Sequence, residues 1–200
     1  MLSNKKSTIE PYLAPLVKQL AHVSPNTLTL LGSIPPILFF VFIIYHFYFW
    51  GLLMLLLTGL DILDGMVARR YNKVTAFGGL LDSTMDRVSN FLVISAFAFA
   101  HLVSWSIVAP LLLFSFLTSY IRAQGGVRSK NDPANFASGV GLIEHTERTV
   151  WIFITVLLFA VLQQTTIWGF SIIQISFLML TLLSIYTVIQ RMLYAYKKLN

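Results

Sequence analysis

Leu28 to Leu60 is a run of 33 residues without a charged side chain. A single helix of that length would extend about 50 Å, against a bilayer hydrocarbon core of about 30 Å. The run therefore predicts two membrane spans, turning between Tyr45 and Gly51, where His46, Tyr48 and Trp50 suit a membrane interface. Pro35 and Pro36 are placed to kink the first of them. Composition agrees with a membrane protein: 56% of the 200 residues are hydrophobic and 11% charged, where a soluble domain carries about 25% charged residues. There is no cysteine, which excludes disulfides and thiolate metal sites.

The remaining apolar segments extend the pattern. The fold expected is an all-α integral membrane protein, one domain over residues 1–200, with six transmembrane helices at about 28–46, 51–69, 78–100, 107–121, 149–162 and 167–189. Residues 7–22 place Tyr12, Leu13, Leu16, Val17 and Leu20 on one helical face, which predicts a short amphipathic juxtamembrane helix lying on the bilayer surface. Ser24-Pro25-Asn26-Thr27 reads as a helix start. Arg69 to Phe77 and Arg122 to Asn135 read as polar loops, and His101 to Ser106 and Gln163 to Thr166 as turns. Met1 to Lys6 lacks the features of a signal peptide; no internal repeat and no low-complexity tract is evident.

Charge placement supports six spans. All 14 Lys and Arg and all 8 Asp and Glu fall in the N-terminal segment, at or near the two connections after the even spans, or at the C-terminus. The three opposite turns hold only His46 and His101. A wrong span count would scatter charges over both faces. The positive-inside rule then puts both termini on the cytoplasmic side of a multi-pass cell-membrane protein. The net charge of +6 fits that topology and anionic headgroups, without nucleic acid.

Four carboxylates concentrate between residues 61 and 86. Asp61 and Asp64 stand three apart, and Asp82 and Asp86 four apart, so each pair shares a helical face. Two adjoining helices could turn the pairs toward one another, where their charges would repel unless a cation sat among them. Hard divalent ions favour such oxygen donors, and paired metals serve phosphoryl chemistry. Gly65 and Ala68 are small enough for a nucleotide to approach the backbone, with helix packing as the other use of Gly65. Arg69 can pair with phosphate.

The pattern D-x2-D-G-x2-A-R-x8-G-x3-D-x3-D, filled by Asp61, Asp64, Gly65, Ala68, Arg69, Gly78, Asp82 and Asp86, resembles the signature of the CDP-alcohol phosphatidyltransferases. The resemblance implies a phospholipid-biosynthetic transferase with two Mg²⁺ ions, Mn²⁺ being an alternative. Asp61, Asp64 and Asp82 would be metal ligands; Asp86 would both contact a metal and accept the proton of the attacking alcohol. From the residues alone, any of the four could be that base. The resemblance also implies that Gly65, Ala68, Arg69, Gly78 and Thr75 bind the CDP-activated lipid, with a segment matching Asn26, Thr27, Leu28 and Thr29. A homodimer is expected on the same ground.

Ser119-Tyr120-Ile121-Arg122-Ala123, Gly141 to Arg148 and Gln190-Arg191 are similar to motifs of the phosphatidylinositol-phosphate and archaetidylinositol-phosphate synthases. That implies inositol phosphate as acceptor, its phosphate held by Arg122, Arg148 and Arg191. Three arginines at the cytoplasmic ends of three spans suit an anion pocket; ordinary flanking charge is the other reading. Gln124, Gly125-Gly126 and His145 depart from those motifs. Glycerol phosphate is an alternative acceptor, a CDP-linked soluble alcohol an alternative donor, and a divalent-cation transporter the alternative of another class.

Overall fold

The computed structural model describes residues 6–129, 136–137, 139–162, 166–167 and 169–200. Their regular secondary structure is helical apart from one short β-hairpin, and the chain divides into two compact units, Met1–Ala96 and Phe97–Asn200.

The first unit holds α1 (Lys6–Gln19), α2 (Pro25–Gly32), α3 (Ile34–Ile44), α4 (Tyr48–Leu57), α5 (Ile62–Arg70) and most of α6 (Ala76–Phe99). Ser24 caps α2: its Oγ accepts the Thr27 N–H at 3.1 Å, with Pro25 in the first turn. The first span is broken, not simply kinked. A proline inside a helix removes a backbone hydrogen bond and crowds the preceding turn; here α2 ends at Gly32 and α3 restarts at Ile34, with Pro35 and Pro36 at its start. His46 makes the turn into α4 with φ of 61°. A Cβ on Gly51 would stand 3.0 Å from Ile43 Cδ1, so this glycine lets α3 and α4 pack closely. The 3₁₀ turn Thr58–Asp61 joins α4 to α5.

α1 and a 3₁₀ turn, Leu20–His22, cover the predicted amphipathic segment. Its apolar face is not simply laid on lipid. Leu13, Val17 and Leu20 pack with Leu63, Met66 and Val67 of α5, and Val17 is fully buried. A protein partner takes up the stripe, while Leu16 stays exposed. The side chain of Tyr12 lies outside the described residues.

The second unit comprises the end of α6, α7 (Trp105–Arg128), α8 (His145–Val161), a hairpin of β1 (Thr166–Ile167) and β2 (Phe170–Ser171), and α9 (Ile172–Leu199). α9 packs on α7 and α8. Phe97 and Phe177 meet with ring centroids 4.6 Å apart. Trp151 Nε1 donates to Ser176 Oγ at 2.7 Å, and Ser176 shares a 2.6 Å hydrogen bond with Thr155. These are polar ties of the sort that hold helices together in a bilayer.

Helix ends in the second unit correct the sequence reading. α7 does not stop at Ile121: it continues through Arg122 to Arg128. Phe136 lies so close to Gly125 that a Cβ there would stand 2.0 Å from Phe136 Cε1, and this packing supports the polar stretch as helix. Residues 130–135 of the expected loop lie outside the described residues, as do 163–165 of the expected turn. The sixth apolar helix begins at Ile172 instead of Ile167, after the hairpin. Ser171 and Gln174 form a capping box there, and the helix runs past Ile189 to Leu199.

Four stretches among the described residues are long and apolar enough to cross a membrane: Pro25–Ile44, Tyr48–Arg70, Trp105–Arg128 and Ile172–Leu199. Large apolar side chains face outward along them, including Leu31, Ile37, Leu53, Leu113, Leu182 and Ile189. α6 and the 17-residue α8, which cover the other two spans expected from the sequence, are not among these four.

Candidate active site

Asp61 ends the 3₁₀ turn, and Asp64 stands in the first turn of α5, where a helix N-terminus favours negative charge. Asp64 is buried, with 7% of its surface exposed. Thr29 Oγ1 donates to its Oδ2 at 2.5 Å, and the Gly65 N–H donates to its Oδ1. Thr29 also faces the Pro25 carbonyl at 3.1 Å. One hydroxyl proton cannot serve both acceptors fully, and the closer carboxylate is the stronger.

Asp82 and Asp86 lie on the first half of α6 with exposed side chains. Asp82, Asp61 and Asp64 all stand near enough to Asp86 for their charges to act on it. The structure therefore gathers both pairs in one unit. Among the described residues no group of three or more His, Asp or Glu side chains is already arranged to hold a metal ion; like charges favour rotamers that keep their oxygens apart. The donor chemistry, carboxylate oxygen throughout, fits a hard divalent ion.

Five of the residues expected to bind the nucleotide form two groups. Arg69 folds back over Gly65, where a Cβ would lie 3.1 Å from Nη1. Thr75 Oγ1 accepts the Gly78 N–H at 3.0 Å, and a Cβ on Gly78 would meet that oxygen at 3.0 Å and Asn26 Oδ1 at 3.1 Å. Asn26, Thr75 and Gly78 thus make a tight polar corner between the starts of α2 and α6. The Ala68 carbonyl accepts the Lys73 N–H at 2.8 Å beyond the end of α5. Thr27 pairs its hydroxyl with Ser24 at 2.7 Å, Leu28 packs on the Val17–Val67 cluster, and Thr29 serves Asp64.

The second unit carries the three arginines. Arg122 is exposed near the end of α7. Arg148 and Arg191 are almost wholly buried, at 2% and 3% exposure. Arg191 lies within electrostatic reach of both Arg122 and Arg148. It donates from Nε to the Val140 carbonyl at 2.8 Å, from Nη1 to the Thr118 carbonyl at 2.6 Å and from Nη2 to Glu144 Oε1 at 2.7 Å. Arg148 Nη1 is buried with no hydrogen-bond partner among the described residues. A buried cation short of partners is costly, and an anion would relieve it. Glu144 and Thr187 were missed as contributors to this cluster. Glu144 lies in the Gly141 to Arg148 motif, but its 47-residue separation from Arg191 leaves no local signal of the pairing.

A family model described as CDP-alcohol phosphatidyltransferase matches residues 22–193. The chain is 31% identical over 207 aligned positions to an archaetidylinositol phosphate synthase of Pyrococcus horikoshii, covering 100% of this chain and 99% of that one. It is 30% identical to a phosphatidylinositol phosphate synthase of Corynebacterium glutamicum, covering 94% and 84%. In fold it is similar to the phosphatidylinositol phosphate synthase of Mycobacterium tuberculosis solved with CDP-DAG bound: TM-score 0.72, 22% identity, coverage 91% and 92%. A structure of that same protein with manganese and citrate gives a TM-score of 0.71 at 23% identity, covering 91% and 88%.

Proposed function

This chain belongs to the CDP-alcohol phosphatidyltransferase family, and on that premise we propose that it transfers the phosphatidyl or archaetidyl group of a CDP-activated lipid to a hydroxyl of inositol phosphate, releasing CMP. It is a membrane-bound transferase. The observation that carries the proposal is the gathering of Asp61, Asp64, Asp82 and Asp86 within electrostatic reach, in the unit that also holds the Gly65–Arg69 and Asn26–Thr75–Gly78 groups.

Asp61, Asp64, Asp82 and Asp86 would hold divalent metal, Mg²⁺ or Mn²⁺; once bound, it neutralises diphosphate charge and polarises the phosphorus under attack. A relative in fold solved with manganese supports a divalent cation. Gly65 and Gly78 let the nucleotide approach the backbone, and Arg69 pairs with its phosphate. Asp86 takes the acceptor's hydroxyl proton as the oxygen attacks the lipid phosphorus. Arg122, Arg148 and Arg191 hold the acceptor's phosphate, supported by the reach of Arg191 to the other two and by the buried Nη1 of Arg148, which has no hydrogen-bond partner among the described residues. Both inositol-phosphate synthase relatives support this acceptor over glycerol phosphate. Six spans, cytoplasmic termini and a homodimer complete the reading, with charge segregation supporting the topology.

The test is a panel assay of purified protein with one CDP-lipid and several acceptors, reading CMP. Inositol phosphate is expected to be used best; preferential use of glycerol phosphate would overturn the acceptor. Asp86→Asn is expected to abolish CMP release while retaining CDP-lipid binding. Unchanged turnover removes Asp86 as the base.

A further inference from the structure

Glu144 immediately precedes α8, at the position where an acidic side chain would ordinarily cap the helix. It makes no side-chain cap hydrogen bond. Its carboxylate is instead committed to Arg191, Oε1 to Nη2 at 2.7 Å, with 12% of the side chain exposed. The same oxygen accepts the Gly139 N–H at 3.3 Å. One turn of α9 grips residues 140–144, just before α8. Thr187 Oγ1 accepts the N–H groups of Leu142 and Ile143, each at 3.2 Å, and Arg191 holds the Val140 carbonyl. Gly141 crosses that turn with φ of +117°, so near that a Cβ would stand 2.3 Å from Thr187 Cγ2.

We infer that Glu144 is a positioning residue for the acceptor: by anchoring Arg191 and the segment leading into α8, it sets the guanidinium groups of Arg191 and Arg148 that receive the acceptor's phosphate. The inference rests on the proposed phosphate role of those arginines. A guanidinium has five N–H donors. Three on Arg191 go to Val140, Thr118 and Glu144, so its direction is fixed and at most two remain for an anion. Arg148 enters from the first turn of α8, whose start is tied to α9 through this strap.

Charge and position make opposite forecasts. Glu144 diminishes the positive charge of the cluster, so by charge alone its removal would tighten phosphate binding. As a positioning residue, its removal weakens binding because Arg191 loses its anchor. Wild type, Glu144→Ala, Glu144→Gln and Glu144→Asp are compared with CDP-lipid and inositol phosphate, reading CMP. Glu144→Ala is expected to raise the acceptor KM about ten- to hundredfold, the range for losing a charged hydrogen bond, with the donor KM little changed. Glu144→Gln keeps an oxygen acceptor and is expected to recover most of the loss; Glu144→Asp keeps the charge but not the reach and is expected to recover little. A lower or unchanged acceptor KM in Glu144→Ala, or equal rises in both KM values, overturns the inference. If Glu144→Ala does not fold, the Gln and Asp variants decide: Asp matching wild type while Gln does not makes the role one of charge and overturns positioning. Failure of the acceptor reading is separately visible, because wild type would then prefer another alcohol over inositol phosphate, and the same series is read with that alcohol.

Discussion

Removing one hydroxyl should measure how far the carboxylate site depends on being held in place. Thr29 and Asp64 are each 7% exposed, and the bond between them is 2.5 Å long. A hydrogen bond to a charged group contributes about 1.5–3 kcal/mol, or about ten- to hundredfold in an equilibrium constant. Thr29→Val retains the β-branch but leaves Asp64 Oδ2 facing a methyl group, while the Gly65 N–H still holds Oδ1. Half of the anchoring is lost, and the carboxylate can rotate. Loss of a group that orients a metal ligand typically costs 10–100-fold in metal affinity, roughly the same range. We expect the Mn²⁺ dissociation constant of Thr29→Val, measured by electron paramagnetic resonance titration without substrate, to rise by about that factor. The Mn²⁺ concentration that half-saturates CMP release should move in parallel. Thr29→Ser keeps the hydroxyl and should stay close to wild type. Wild-type Mn²⁺ affinity in Thr29→Val would refute the argument; a Ser variant as poor as Val would show that packing of the γ-methyl, not the hydrogen bond, sets the site.

Two glycines test the packing around the sites. Gly65→Ala places a methyl 3.1 Å from Arg69 Nη1, the far end of a flexible side chain, so Arg69 should swing aside. The expected result is a several-fold higher KM for the CDP-lipid with a thermal midpoint close to wild type; an unchanged donor KM would separate Arg69 from the nucleotide. Gly125→Ala is of another kind, because its Cβ would overlap a buried ring, 2.0 Å from Phe136 Cε1 and 2.3 Å from Cδ1. That ring also packs edge-on against Tyr194 at 5.5 Å. Overpacking costs about 1–3 kcal/mol or more, read as a lower thermal midpoint in detergent. Adding Phe136→Ala to Gly125→Ala should then lower stability no further than Phe136→Ala alone; additive losses would contradict the clash.

What was legible in the sequence depended on short-range physics. Ser24 beside Pro25 marks a helix start because a cap needs only the next three residues. The spacing of Asp61 with Asp64, and of Asp82 with Asp86, fixes a shared face within each helix. It does not determine the rotamers of those side chains, which answer to neighbours such as Thr29, 35 positions from Asp64. The end of α7 is hidden from the sequence for the same reason: Arg122 to Arg128 is polar and glycine-rich, a loop by local preference, while Phe136 packs against it from beyond the helix. Likewise, the apolar face of α1 reads as lipid-facing until α5 is folded beside it.

Arg148 and Arg191 are nearly equally buried but differently supplied, and the difference bears on function. A buried guanidinium is tolerated when a counter-charge and acceptors surround it. Arg191 has both, in Glu144 and two backbone carbonyls, and those bonds tie α7, the segment before α8, and α9 together. Arg148 has Arg191 as an electrostatic neighbour of the same sign and a buried Nη1 with no hydrogen-bond partner among the described residues. Were both arginines there for stability alone, evolution of the fold would gain by giving Arg148 an acceptor or replacing it with an apolar side chain. A cationic donor left unsatisfied beside a rigidly held one is instead the arrangement that an incoming phosphate would complete, which is why the anchor of Arg191 should govern acceptor affinity more strongly than it governs the affinity for the CDP-lipid.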